Sequence, residues 1–163
     1  MEQKILIFKI LLIFSIFFVF FNGSEIQKII RGKAKIIDGD TIHIDNDKIR
    51  LHGIDAPELN QNCYYEDKEW ACGQQSKKFL INLINSNIIN CKVNDIDRYK
   101  RYIAICFLDN LNINKMLVKN GWAIAYRYYS KDYINEELIA ESKKIGIWKG
   151  SFEEPYQYRK KNK

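Results

Sequence analysis

Between Lys33 and Ile54 the chain is cut into three short β-type segments by two aspartate-rich turns, and this punctuation limits the fold more than any other feature. Lys33 to Ile37 and Thr41 to Ile44 read as strands joined through Asp38-Gly39-Asp40, and Lys48 to Ile54 reads as a third after Asp45-Asn46-Asp47. Glycine and aspartate supply the turn conformations that such short connections need. Asp55-Ala56-Pro57-Glu58 then leaves the sheet, because a proline nitrogen has no hydrogen to give to a ladder. Pairing of the second and third strands with residue numbers summing near 92 sets Arg50 opposite Ile42. It also brings Asp40 and Asp55 to the same end of that hairpin.

The later pattern alternates between helical and β periods. From Gln74 to Asn85 the apolar residues Phe79, Leu80, Leu83 and Ile84 fall at helical spacing. Ile88 to Val93 and Arg101 to Leu108 form a second hairpin. A short helix spans Asn112 to Asn120 and stops at Gly121, and a third runs from about Asp132 to Ile145 and stops at Gly146, glycine being suited to a left-handed C-terminal position. Five short strands with interleaved helices predict an α+β protein: a five-stranded barrel of the OB type carrying three α-helices. With 163 residues, 47% of them hydrophobic, the chain amounts to one domain and is too short for two enzyme domains. Lysine and arginine exceed the acids 26 to 20, a net charge of +6, which favours a polyanionic partner.

The first two dozen residues stand apart. Ile10 to Phe21 is apolar apart from Ser15, Lys4 and Lys9 precede it, and Asn22-Gly23-Ser24 follows. A basic start, a short apolar run and small residues at its end describe a secretory signal peptide over residues 1–24. The run is short of the roughly 20 apolar residues that cross a bilayer as a helix. An uncleaved N-terminal membrane anchor is the competing reading. Export to the envelope, the periplasm or the medium would give Cys63, Cys72, Cys91 and Cys106 an oxidising compartment in which to pair, with three possible connectivities. The second hairpin favours Cys91–Cys106, and the polar loop between them favours Cys63–Cys72. No close Cys-x-x-Cys or Cys-x-x-His spacing suits zinc.

Candidates for chemistry are few. His43 and His52 lie in β-type segments without a nucleophile nearby, and there is no glycine-rich phosphate loop. Asp40 and Asp55 are two hard carboxylates of the kind that hold Ca²⁺ or Mg²⁺, and Glu58 lies just past the same strand as Asp55. Only six of the 26 basic residues are arginine, and Arg50 falls among these acids while Arg98 and Arg101 share the later turn. Guanidinium groups give planar, bidentate hydrogen bonds to phosphate. Acids for a cation with arginines for a phosphate make a phosphodiesterase pattern.

Asp38-Gly39-Asp40-Thr41, Arg50-Leu51-His52-Gly53-Ile54-Asp55-Ala56-Pro57-Glu58 and Asp97-Arg98-Tyr99-Lys100-Arg101 stand in the order and spacing of the staphylococcal-nuclease-like (thermonuclease) family. Asn114 to Gly121 and Lys144-Ile145-Gly146-Ile147-Trp148 extend the resemblance, which covers residues 33–148. It implies a nuclease domain over 25–150 with a basic tail at 151–163, and a five-stranded OB barrel with three helices. By motif, Asp40, Asp55 and the main-chain carbonyl of Ala56 resemble the Ca²⁺ ligands, while Arg50, Glu58 and Arg101 resemble the catalytic residues. Tyr126 and Tyr128, with Tyr129 beside them, lie where the family places tyrosines near the nucleotide. The implied activity is Ca²⁺-dependent hydrolysis of DNA and RNA with low sequence specificity, leaving 3′-phosphate ends. The alternative is an OB-fold nucleic-acid-binding module without catalysis. No protein partner is implied, a monomer is expected, and membrane association depends on the N-terminal segment. Lys100 stands where relatives usually carry glycine, adding a cation at the substrate side and costing about 1 kcal/mol if the turn requires positive φ. Arg159 to Lys163 reads as a frayed, solvated end.

Overall fold

The computed structural model describes residues 27–162. The candidate signal peptide or anchor over 1–24 lies outside these residues. Three strands open the domain: β1 (Ile29–Ile36), β2 (Thr41–Ile44) and β3 (Asp47–Leu51). They form an antiparallel meander in which Ile36 faces Ile42, and Ile42 faces Ile49. After β3 come two residues of strand, β4 (Ile54–Asp55), then a hairpin of β5 (Cys63–Tyr65) and β6 (Lys68–Trp70), and helix α1 (Cys72–Ile84). The second long hairpin is β7 (Ile88–Ile96) with β8 (Tyr102–Leu108). β7 runs antiparallel to β1, and β8 closes the circle by pairing in parallel with β3, Arg50 facing Ile103. β1, β2, β3, β7 and β8 are therefore a closed five-stranded barrel, which leaves few free strand edges. β9 (Leu111–Asn112), α2 (Ile113–Lys119), β10 (Ile124–Ala125), α3 (Ile134–Ser142), a 3₁₀ turn (Gly146–Lys149) and α4 (Pro155–Lys161) complete the chain.

Four details differ from the sequence reading. The β2–β3 register is one residue tighter: Arg50 faces Thr41 rather than Ile42. A slip of one residue turns every side chain to the other face, and this register puts Ile42 and Ile49, both fully buried, together inside the barrel. The third strand stops at Leu51 instead of Ile54, because Gly53 turns the chain with φ near +72° and β4 pairs instead with β10. The loop after Glu58 contains a hairpin, and α1 begins at Cys72. The C-terminal segment is a helix, not a frayed end: Pro155 is its buried first residue, where a missing N–H costs nothing. With α4 the described residues hold four α-helices rather than three.

The core is aliphatic. Ile42, Ile44, Ile49, Leu51, Ile54, Leu80, Ile84 and Ile89 are buried with Ala104, Ile113 and Leu117, each large side chain worth about 1.5–3 kcal/mol when removed from water. A second cluster of Cys63, Cys72, Ile124 and Ile147 packs with Trp70, Trp148 and Phe152. Disulfides join Cys63 to Cys72 and Cys91 to Cys106, the connectivity favoured from the sequence. Asn114 is buried and bolts α2 to the barrel. Its Oδ1 accepts from the Cys106 N–H at 3.0 Å, and its Nδ2 donates to the His52 carbonyl at 2.9 Å and the Ala104 carbonyl at 3.2 Å. Gly121 and Gly146, both at positive φ, meet back to back, a Cβ on Gly146 lying 2.1 Å from the Gly121 carbonyl.

Candidate active site

The tight β2–β3 turn brings the start of one strand beside the end of the other, so Asp40 and Leu51 share one rim of the barrel, joined by the Leu51 N–H donating to the Asp40 carbonyl at 2.8 Å. The Asp38 carboxylate caps the preceding turn by accepting the N–H groups of Asp40 and Thr41. Asp40 is thereby turned inward, 2% exposed. Arg50 alternates with the buried Ile49 and Leu51 and so faces away from the barrel core. Its two terminal nitrogens reach Asp40 and Asp55, the latter at 2.6 Å. The Ala56 N–H donates to the other oxygen of Asp40 at 2.7 Å. Strand and post-strand carboxylates thus converge on a single guanidinium.

Glu58 enters through a neighbouring arginine. Arg159 of α4 donates to both oxygens of Asp55, at 2.8 and 3.0 Å, and to Glu58 at 2.7 Å. Gln61 fixes the loop beneath: its Oε1 accepts from the Glu58 N–H at 3.1 Å, and its Nε2 donates to the Glu153 carbonyl at 2.7 Å just before α4. Neither Arg159 nor Gln61 is singled out by motif or period. The signals that could have found them are the scarcity of arginine in this chain and a proline placed to start a terminal helix.

Arg101 is placed differently. Its Nε and a terminal nitrogen each donate to Asp97 at 2.8 Å, and Asp97 also accepts the N–H groups of Tyr99 and Arg101. Arg101 makes no hydrogen bond or ion pair to Asp40, Asp55 or Glu58 among the described residues. It rests in its own turn, next to β8, the strand that pairs with β3. Lys100 has φ near +61°, so the turn does hold a lysine in the conformation that glycine adopts freely. Tyr126 is anchored by its N–H to the Gly53 carbonyl at 2.9 Å. Its ring lies 5.1 Å from that of Tyr129, 6.4 Å from Tyr128 and 6.5 Å from Tyr156 of α4. Tyr128 and Tyr129 are exposed, leaving an aromatic surface beside the acids. Glu137, buried on α3, accepts from the Ala125 N–H at 2.9 Å and pairs with Arg127, fixing the start of this segment.

The electrostatics follow from burial. Burial pushes the Asp40 carboxyl up to about 8 against the pull of Arg50, with the charges of Asp38 and Asp55 adding to the rise. Burial opposes the charges of Arg50 and Arg159, but their carboxylate partners more than offset it and hold both guanidiniums protonated more firmly than usual. Burial and then the charge of Asp55 push the Tyr126 phenol up. At Asp97 burial is outweighed by hydrogen bonds from the Arg101 N–H and guanidinium, and the carboxyl sits below its ordinary range.

Among the described residues no group of three or more His, Cys, Asp or Glu side chains is arranged to enclose a metal ion. Two buried aspartates, both drawn to Arg50, are the donor type of a hard cation that completes its shell with water and phosphate oxygens. The absence of sulfur or imidazole ligands among them argues against a soft metal.

A closed barrel with paired acids and arginines at its rim has the parts of a phosphodiester hydrolase, and it is comparison with known proteins that gives the class, a nuclease of the endonuclease type. Residues 48–150 match the family described as staphylococcal nuclease homologue, and the chain belongs to that family. It is 35% identical to an uncharacterised endonuclease of Haemophilus influenzae, over 99% of this chain and 88% of that one. It is 29% identical to a micrococcal nuclease of Shigella flexneri, covering 82% of each. A probable staphylococcal-like nuclease of rice, Oryza sativa subsp. japonica, is 31% identical over 69% of this chain but only 28% of its own.

Proposed function

We propose that this protein is an exported, Ca²⁺-dependent nuclease that hydrolyses DNA and RNA with low sequence specificity. The observation that carries the reading is the convergence of Asp40, Asp55 and Glu58 on Arg50 and Arg159 at one rim of the barrel. Asp40, Asp55 and the Ala56 carbonyl are the groups that would hold the cation, which when bound supplies charge neutralisation at the phosphate and a bound water. Glu58, the acid of the cluster most open to solvent with a side chain 33% exposed, is the group that would orient an attacking water or accept its proton. Arg50 and Arg101 donate to the phosphate oxygens, where charge builds during attack on phosphorus. For Arg101 this requires leaving Asp97 or sharing its guanidinium between Asp97 and phosphate. Hydrolysis is expected to leave 3′-phosphate ends, with Arg101 assisting the departing 5′ oxygen. Tyr126 and Tyr128 offer rings on which bases stack, worth about 1–3 kcal/mol per base without regard to sequence, and Lys100 adds a phosphate contact.

Export is supported by the two disulfides, which persist in oxidising compartments. The reading of residues 1–24 as a signal peptide, with membrane anchorage as its alternative, belongs to the same proposal. Mass spectrometry of the exported protein distinguishes them.

Digestion of plasmid DNA and of RNA, with Ca²⁺ or with EGTA, tests the assignment. Cutting should require Ca²⁺, and Glu58→Gln should lower it by orders of magnitude. Nucleic-acid binding without cleavage in Ca²⁺ would instead establish the non-catalytic binding module.

A further inference from the structure

Arg159 lies outside the residues matched by the family, yet it donates to both oxygens of Asp55 and to Glu58. Both oxygens of the fully buried Asp55 are engaged by cations: Oδ1 by Arg50 and Arg159, and Oδ2 by Arg159. A divalent cation that takes an oxygen of Asp55 must therefore share it with a guanidinium or displace one, and like charges this close repel strongly. The two arginines differ in how firmly they are held. Arg50 stands near the end of a barrel strand that is paired on both sides, and its side chain is 15% exposed. Arg159 stands on a seven-residue terminal helix, with its side chain 28% exposed.

Helix α4 is held at its start, where Ser151 pairs with Tyr64 and Phe152 packs on the second cluster, and along its length by a few side chains, among them Tyr156, whose ring lies 6.5 Å from that of Tyr126. Pro155 is buried, the Glu153 carbonyl accepts from Gln61, and the Tyr158 hydroxyl donates to the Asn60 carbonyl at 3.2 Å. A helix this short has little stability of its own, and segments with few tertiary contacts open at low cost. Of the two guanidiniums, Arg159 is the one that can give way while the barrel stays intact. Its contact with Glu58 lets it move off Asp55 without losing every partner.

We propose that Arg159 is a resident counter-ion of the metal-free site, one that holds Asp55 and Glu58 in place and exchanges with the divalent cation at Asp55, so that α4 sets the cation affinity. The inference rests on the reading of Asp55 as a cation ligand. It makes Arg159 a positioning residue, acting through Asp55 and Glu58.

Isothermal titration of the full chain with Ca²⁺, disulfides intact and nucleic acid absent, tests it in wild type, Arg159→Gln and Asp55→Asn. Removing the competing charge should tighten Ca²⁺ binding by R159Q at least about fivefold, within the usual range of coupling between two sites, while D55N should abolish it. Equal or weaker binding by R159Q, with D55N still inactive in binding, overturns the exchange and leaves the metal reading standing. Binding that survives D55N, or no binding by wild type, removes the metal reading and the exchange together. A second measurement needs no variant: amide hydrogen exchange over residues 155–161 of the wild type should accelerate on saturation with Ca²⁺. Unchanged or slower exchange there counts against the proposal even if R159Q does not fold.

Discussion

Arg50 gives one terminal nitrogen to Asp40 and the other to Asp55, so a single guanidinium ties the acid just before β2 to the acid that ends β4. The two carboxylates are nearly inaccessible, at 2% and 0% exposure. Without Arg50, Asp55 would keep Arg159 but Asp40 would keep no cationic partner among the described residues. Arg50 thus has a structural task in the metal-free protein besides the proposed task at the phosphate.

These two tasks separate by substitution. Arg50→Ala removes a buried partner from two acids and should cost about 3–5 kcal/mol of stability. Arg50→Lys keeps the charge but cannot span both carboxylates, since an ammonium lacks the planar fork. It should unfold closer to wild type, yet cut plasmid DNA about 10²–10³ times more slowly if Arg50 contacts the transition state. Thermal unfolding and initial digestion rates, measured together, check this. A lysine variant with wild-type turnover would remove Arg50 from the proposed catalytic set.

Asp97 predicts both a pH response and an indirect effect on turnover. Its carboxyl lies below the ordinary value in the folded protein, so the stability it contributes is present above the unfolded value of 3.8. That stability is lost as pH falls through the lower folded value. Carboxyl ¹³C chemical shifts followed through an acid titration should place the Asp97 midpoint below 3.8; a midpoint at or above it contradicts the hydrogen bonding described. At neutral pH, Asp97→Asn should leave the turn folded through the remaining backbone acceptor but loosen Arg101. Nuclease activity should then fall more than stability does.

The difference in legibility between these two arginines has a physical basis. The Asp40–Arg50–Asp55 cluster could be read from the chain because it depends on local hairpin geometry, and even a register wrong by one residue brings the same ends together. Alternation could not show that Arg101 would turn to Asp97, since a side-chain choice between two nearby anions is set by angles that periodicity does not encode. The barrel likewise followed from short strands and acidic turns. Closure through the parallel pairing of β3 and β8 joins distant segments and leaves no local mark. Arg159 was out of reach for a similar reason: a seven-residue helix has too few turns to display a period, and its contacts with Asp55 and Glu58 span about a hundred residues of chain.

Lys100 carries a cost that can be recovered. Its φ near +61° lies in the left-handed region, where a residue with a Cβ is disfavoured by roughly 1 kcal/mol relative to glycine. Its N–H still donates to the Asp97 carbonyl at 2.9 Å, closing the turn, so the backbone need not move when the side chain is removed. Lys100→Gly should raise the unfolding midpoint by about 2–4 °C for a domain of this size. It should also weaken binding of nucleic acid at low salt, because one phosphate contact is lost. A lowered midpoint would mean that the lysine side chain stabilises the turn by more than its conformation costs.

The two disulfides should differ in what their removal does. Cys91 and Cys106 face each other across β7 and β8, with a separation of 15 in sequence. Opening a loop of that length releases about 3 kcal/mol of constraint on the unfolded chain. The ladder between the strands remains, so Cys91→Ala with Cys106→Ala should lose stability while cutting normally well below its melting temperature. The other bridge lies next to the proposed base. Cys63 and Cys72 bracket the loop after Glu58, where the Gly73 N–H donates to the Gln61 carbonyl at 3.1 Å. Gly73 packs so closely that a Cβ there would lie 1.8 Å from the Glu58 carbonyl. With Cys63→Ala and Cys72→Ala the support beneath Gln61 loosens, and with it the hydrogen bond that fixes the Glu58 backbone. Turnover should therefore drop at temperatures where circular dichroism still reports a folded barrel. Equal losses of turnover in the two double variants, compared at the same fraction folded, would show that the Cys63–Cys72 bridge has no special hold on Glu58.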